Sequence, residues 1–149
     1  MEALRKLAIR ATKLSPELLF KLVLKDKKVQ KKILDLNRID QLFDRGVDSK
    51  GDALPPYAKS TIAKKKAAGQ EYTHMTLKDK GDFYESFKIV MVDGGFVIEA
   101  DAEKDGTDLT KRYGKEILGL SEDSMGKLIE IIKERAPDVI LEYLLQGLV

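Results

Sequence analysis

The stretch "FKIVMVDGGFVIEA", residues 87–100, decides the fold class. "FKIVMV" and "FVIEA" are both rich in β-branched and aromatic residues, and "DGG" (93–95) joins them. Asp-Gly between such runs is the strongest short hairpin signal, because glycine takes the positive φ that a tight reversal needs. In the second run Phe96, Ile98 and Ala100 alternate with Val97, Glu99 and Asp101, so one face is mostly polar. The first run is apolar on both sides (Val90 and Val92 against Ile89 and Met91) and is expected to be central.

Outward from this hairpin the pattern turns helical. Leu4, Leu7, Ala8, Ala11 and Leu14 recur at helical spacing in 2–14. Ser15 then reads as an N-cap and Pro16 as a first helical residue. The next stripe is Leu18, Leu22, Val29, Ile33 and Leu36, with lysines opposite; one bent helix or two could cover 2–36. The pattern decays at "NRIDQLFDRG", where Asn37 is a candidate cap and Gly46 a helix end. "GVDSKGDALPPYAKST" is a loop, and "KSTIAKKKAAGQ" is a short helix starting near Ser60 or Thr61. Gly81 marks a turn, and a helical turn over 82–86 brings Phe83 to Phe87. Residues 101–124 read as loop, one short helix, then loop. Ser121 caps a last helix running from about Glu122 toward Leu145, with a kink or break at Pro137.

These elements make an α+β protein: N-terminal amphipathic helices and a C-terminal helix packed on a small antiparallel sheet containing a hairpin at about 87–101. A length of 149 residues suits a single domain, divided into a helical arm (1–38), a core (39–121) and a terminal helix (122–149).

Composition removes several chemistries. There is no cysteine, so disulfides, thiolate catalysis and cysteine zinc sites are excluded. One histidine cannot build a His-rich metal site within a chain. The apolar stretches are too short to span a bilayer, and the N-terminus lacks the continuous apolar core of a secretory signal. His74 lies near Asp79, Asp82 and Glu85, but without HExxH or HxH spacing; a hydrogen-bonded structural histidine is the expectation, with no catalytic residue, metal or cofactor.

Charge is polarised. Residues 1–70 hold 17 Lys+Arg against 8 Asp+Glu, and residues 71–149 hold 10 against 17. The first half could meet a polyanion, through Lys27, Lys28, Lys31 and Lys32 or Lys64, Lys65 and Lys66. It could equally meet the acidic half of another copy, and solvated helix faces would look the same.

The ordered set "FDRGVDSKGDALPPYAKSTIAKKKAAGQ", "HMTLKDKGDFYESFKIVMVDGGFVIEA" and "RYGKEILGLS" resembles the tailed-phage virion morphogenesis proteins, the tail completion or head–tail joining family. The matching positions are Gly46, Ser49, Gly51, Leu54, Tyr57, Thr61, Lys65, Leu77, Asp79, Gly81, Ser86, Tyr113, Gly114, Gly119 and Leu120, with Phe83, Phe87 and Gly94 as turn and core residues between them. The likeness spans about 39–121, and Lys80 stands where the family pattern favours threonine. It implies a non-enzymatic virion or prophage protein that assembles as a homo-oligomer, ring-like, beside other neck or tail proteins. It also implies possible proximity to DNA, residence in the virion (in the host cytoplasm during assembly), and no membrane or small-molecule substrate. The alternative is a nucleic-acid-binding protein using the basic first half.

Overall fold

A computed structural model describes residues 1–146 and shows an α+β protein. In chain order the elements are α1 (Glu2–Lys13), α2 (Pro16–Lys25), α3 (Lys27–Asp35), a π-helical segment (Leu36–Arg45), α4 (Lys59–Ala67), α5 (Asp82–Glu85), β1 (Lys88–Val92), β2 (Gly95–Glu99), β3 (Glu103–Lys104), β4 (Thr107–Asp108), α6 (Leu109–Tyr113), a 3-10 turn (Lys115–Ile117) and α7 (Glu122–Leu145). No helix among the described residues is long and apolar enough to cross a membrane.

The chain divides into two compact units, Met1–Lys32 with Lys127 onward, and Ile33–Gly126. Residues 33–38 and 122–126 therefore belong with the core, while most of the expected arm (1–32) and of the expected terminal helix (from 127) share one unit. That unit carries 13 Lys+Arg against 7 Asp+Glu, and the other 14 against 18, so the polarity in the sequence is also a polarity between units.

In the first unit, Ser15 caps α2 by accepting the Leu18 N–H (3.1 Å), with Pro16 at the first position. The helices of 2–36 are three, because Asp26 ends α2 and restarts the chain. Its Oδ1 accepts the Lys28 N–H (2.8 Å), satisfying a donor that the start of α3 would leave open. Its Oδ2 accepts from Arg135 Nε on α7 (2.6 Å). Arg10 of α1 donates to the Tyr143 carbonyl (2.7 Å) and lies over that ring. Val23, Leu24, Val29, Leu128 and Val139 are the buried apolar residues around these links. The helix continues through Pro137, so of the kink or break expected there the break does not occur. Proline deprives only the Lys133 carbonyl of its donor, and both residues are exposed, so water can take its place.

The Arg135 hydrogen bond holds the Asp26 carboxyl below the usual carboxylate range. A lowered folded pKa stabilises the fold above the unfolded value and loses that contribution as pH falls through the folded one. Acid melts followed by circular dichroism should therefore show the gap between wild type and Asp26→Asn closing below about pH 4. A gap of constant size down to full acid unfolding would contradict this assignment.

In the second unit, Gly46 ends the π-helical segment as expected, at φ 62, its N–H reaching the Gln41 and Leu42 carbonyls. The hairpin forms with Lys88 opposite Glu99 and Val92 opposite Gly95, so Asp93 and Gly94 alone make the turn. Among the described residues β1 pairs only with β2 and is not central. Its double-sided apolarity has another outcome: Ile89, Met91, Phe96 and Ile98 share the face that holds buried Ile98, while Val90, Val92 and Val97 share the other. A second hairpin, β3–β4, occupies residues expected to be loop. Its turn is also Asp-Gly, with both residues at positive φ (50 and 78). α4 starts at Lys59, beside Ser60 and Thr61 as expected. Phe83 and Phe87 are buried, ring edge to face at 5.0 Å. Ser121 caps α7, its Oγ accepting the Ser124 N–H (3.2 Å).

Candidate functional site

The π-helical segment, the loop after Gly46 and residues 117–121 meet in the second unit, and two amide side chains tie the first of these to the last. Asn37 and Gln41 are four residues apart on the π-helical segment, and both are fully buried. Asn37 Nδ2 donates to the Ile117 carbonyl (3.0 Å) and its Oδ1 accepts the Gly119 N–H (2.8 Å). Gln41 Nε2 donates to the Gly119 carbonyl (2.9 Å) and its Oε1 accepts the Ser121 N–H (2.8 Å). Each amide thus pairs with backbone as another peptide group would, and all four polar atoms of the two side chains are used. Asn37 is therefore not the cap that the decaying helix pattern suggested.

The loop after Gly46 closes on the same strip. Ser49 N–H donates to the Glu116 carbonyl (2.7 Å), and Lys50 pairs with Glu116 (3.5 Å). Gly119 sits at φ 123, where an added Cβ would come within 3.3 Å of Ser49 Cβ. Leu54 N–H returns to the Gly46 carbonyl (2.8 Å), next to the Val47–Ala53 bridge. Gly51, at φ 82, turns the loop in open space. Gly114, at φ 96, follows half-buried Tyr113 and starts the 3-10 turn.

A second cluster forms around Thr76, which is buried. Tyr57 Oη accepts the Thr76 N–H (2.9 Å), and Tyr84 Oη donates to the Thr76 carbonyl. Burial, then the neighbouring Tyr57 and Asp44, push the Tyr84 hydroxyl above the ordinary phenol value, which keeps it a neutral donor. Lys65 lies over the Tyr57 ring (4.9 Å) and donates to the Lys78 carbonyl (3.1 Å). It is only 9% exposed, so it is not the polyanion contact expected of it. On a helix three successive residues point 100° apart, and here the middle lysine points inward. Lys64 and Lys66 remain exposed, as do Lys27, Lys28, Lys31 and Lys32. The two lysine groups belong to different units.

His74 and its three neighbouring acids do not form one site. His74 Nε2 faces the Phe43 carbonyl and so carries the proton there, while Nδ1 is 3.3 Å from the Thr73 hydroxyl. Asp79 and Asp82 instead face Lys104, at 3.8 and 2.7 Å. That hydrogen bond holds Asp82 below the carboxylate range. Glu85 is exposed. Gly81, at φ 93, starts α5 between these residues, and Ser86 ends it by donating to the Phe83 carbonyl (2.6 Å) and accepting the Asp101 N–H (2.9 Å). Among the described residues no group of three or more His, Asp or Glu side chains could hold a metal ion.

Sequence reasoning missed Asn37 and Gln41. Their signal was a pair of amides at i, i+4 beside Leu36 and Leu42, continuing the buried stripe that Ile33 begins. No family model matches the chain, and neither the curated proteins nor the solved structures include a similar one.

Proposed function

We propose that this chain is a non-enzymatic structural component of a tailed-phage or prophage virion. It joins or completes the tail at the head–tail neck, as copies packed heterologously into a ring beside other neck or tail proteins. One observation carries the reading: the residues of the family-like pattern are spent on shape. Gly46 packs on His74, Lys65 on Tyr57, and Gly119 on Ser49, while Asn37 and Gln41 lock 117–121 to the helix. The same holds for His74, whose ring is committed to a backbone carbonyl. A protein that works by contact needs a reproducible surface, and buried, fully paired amides supply one.

A second reading has its own support. Residues 1–32 hold ten Lys+Arg against three Asp+Glu, with Lys27, Lys28, Lys31 and Lys32 exposed, which suits a polyanion such as duplex DNA.

The deciding experiment removes the protein from an assembling phage. Full heads and separate tails, seen by electron microscopy, are the expected result; normal infectious particles would end the virion proposal. Duplex binding, if it is the function, must fall with salt at a log–log slope of about −0.9 for each phosphate neutralised. A flat slope removes the second reading.

A further inference from the structure

The first unit exposes an apolar helix face. α1 has no buried residue. Leu7, Arg10 and Leu14 are half-buried, while Leu4, Ala8 and Ala11, spaced i, i+4, i+7, are exposed, Leu4 at 66%. Around them stand Arg5, Lys6, Arg10 and Lys13 against Glu2, so the helix is net +3.

The second unit exposes an apolar sheet face. Val90, Val92 and Val97 project together from the β1–β2 hairpin, with Val92 at 43% and Val97 at 41% exposure. The Lys88–Glu99 pair (3.9 Å) closes one end of that face and Asp93 the other. Residues 88–101 hold one lysine against Asp93, Glu99 and Asp101, a net of −2. A two-stranded sheet must cover an apolar face with another layer, and an amphipathic helix is a standard cover.

We propose that α1 of one copy lies, through Leu4, Ala8 and Ala11, on the valine face of the β1–β2 hairpin of a second copy. The occupant is argued from charge: the cationic helix belongs to the basic unit, and the acidic hairpin to the acidic one. Such complementarity steers encounter and fixes orientation. Each copy offers one face of each kind, so the contact is head-to-tail and repeats, closing when the rotation between copies allows. This rests on the ring-forming function proposed above and names its contact.

The absence of cysteine allows a direct test. Ala8→Cys and Val97→Cys are made as separate full-length proteins, mixed in equal amounts at low salt, and oxidised with copper phenanthroline. Both positions are exposed, and circular dichroism verifies the fold of each. A mixed disulfide well beyond the share given by random collision is expected, and it should diminish at high salt. Like-pair disulfides in random proportion would overturn the contact. So would an Ala8→Cys, Val97→Cys double variant that closes only within single chains, or flotation of the protein on phosphatidylserine vesicles without mixed disulfide. A phage lacking the protein distinguishes the two proposals. Heads separate from tails, together with no mixed disulfide, would leave the virion role standing and remove this interface.

Discussion

Asn37→Leu should destabilise the protein by about 2–4 kcal/mol, because it strands a buried backbone acceptor at about 1–3 kcal/mol and a half-buried donor at about 1 kcal/mol. Leucine keeps asparagine's branching but puts bulkier methyls where bonds of 2.8 and 3.0 Å were, so crowding adds to the lost pairing. The Ile117 carbonyl loses its donor at 3.0 Å in a buried place, and the half-buried Gly119 N–H loses its acceptor at 2.8 Å. A domain holds only about 5–15 kcal/mol in all, so the variant should melt below the wild type, by roughly 5–15 °C. Thermal melts and urea titrations measure it directly. Gln41→Leu strands the Gly119 carbonyl and the Ser121 N–H and should behave alike. Because the two amides grip adjacent peptides of one strip, their losses should not add; the double variant should cost less than the sum. A loss below about 0.5 kcal/mol for either, the range of an ordinary surface change, would show that the strip holds its shape without them.

Gly46→Ala should be about as damaging, for a steric reason. The residue sits at φ 62, where a side chain costs about 1–2 kcal/mol. The added Cβ would also stand 2.7 Å from His74 Cδ2 and 3.0 Å from the Met75 carbonyl. The imidazole is tethered to the Phe43 carbonyl and the other neighbour is backbone, so neither yields freely. Overpacking of this kind adds about 1–3 kcal/mol, for a total of about 2–5 kcal/mol. Gly94→Ala supplies the control. It has φ 80 but nothing within 4 Å of the added atom, so only the conformational cost of about 1–2 kcal/mol applies. Equal losses at the two glycines would refute the contact with His74. Combining Gly46→Ala with His74→Ala should recover part of the deficit, which a double-mutant cycle reads as a coupling between the two positions.

Much of the fold was legible because its signals are local. Asp93-Gly94 between two β-rich runs fixes a hairpin at short range, and Ser15-Pro16 and Ser121 start helices through bonds three residues long. The β3–β4 hairpin has the same Asp-Gly turn but strands of only two residues, Glu103-Lys104 and Thr107-Asp108, too short and too polar to show alternation. Asp26 hid in a continuous helical pattern, since its cap competes with a helix that the flanking stripe also supports. β1 looked central because it is apolar on both sides; it has one strand neighbour and an exposed valine face, and both are set by what packs beside and over the strand.

The candidate site was less legible, and for one reason. His74, Asp79, Asp82 and Glu85 are neighbours along the chain, but their partners come from elsewhere: Phe43 for the histidine, Lys104 for two of the acids. Lys65 differs from Lys64 and Lys66 only in where α4 turns it, toward Tyr57. Asn37 and Gln41 look like the polar end of a helix until the strip about 80 residues away is laid against them. Residue order alone determined the helices, the first hairpin, the turn glycines and the separation of charge, since these depend on backbone sterics and periodicity within a few residues. Which polar groups are buried, and against what, was decided by tertiary packing alone, because a buried donor or acceptor must find a partner wherever the chain brings one.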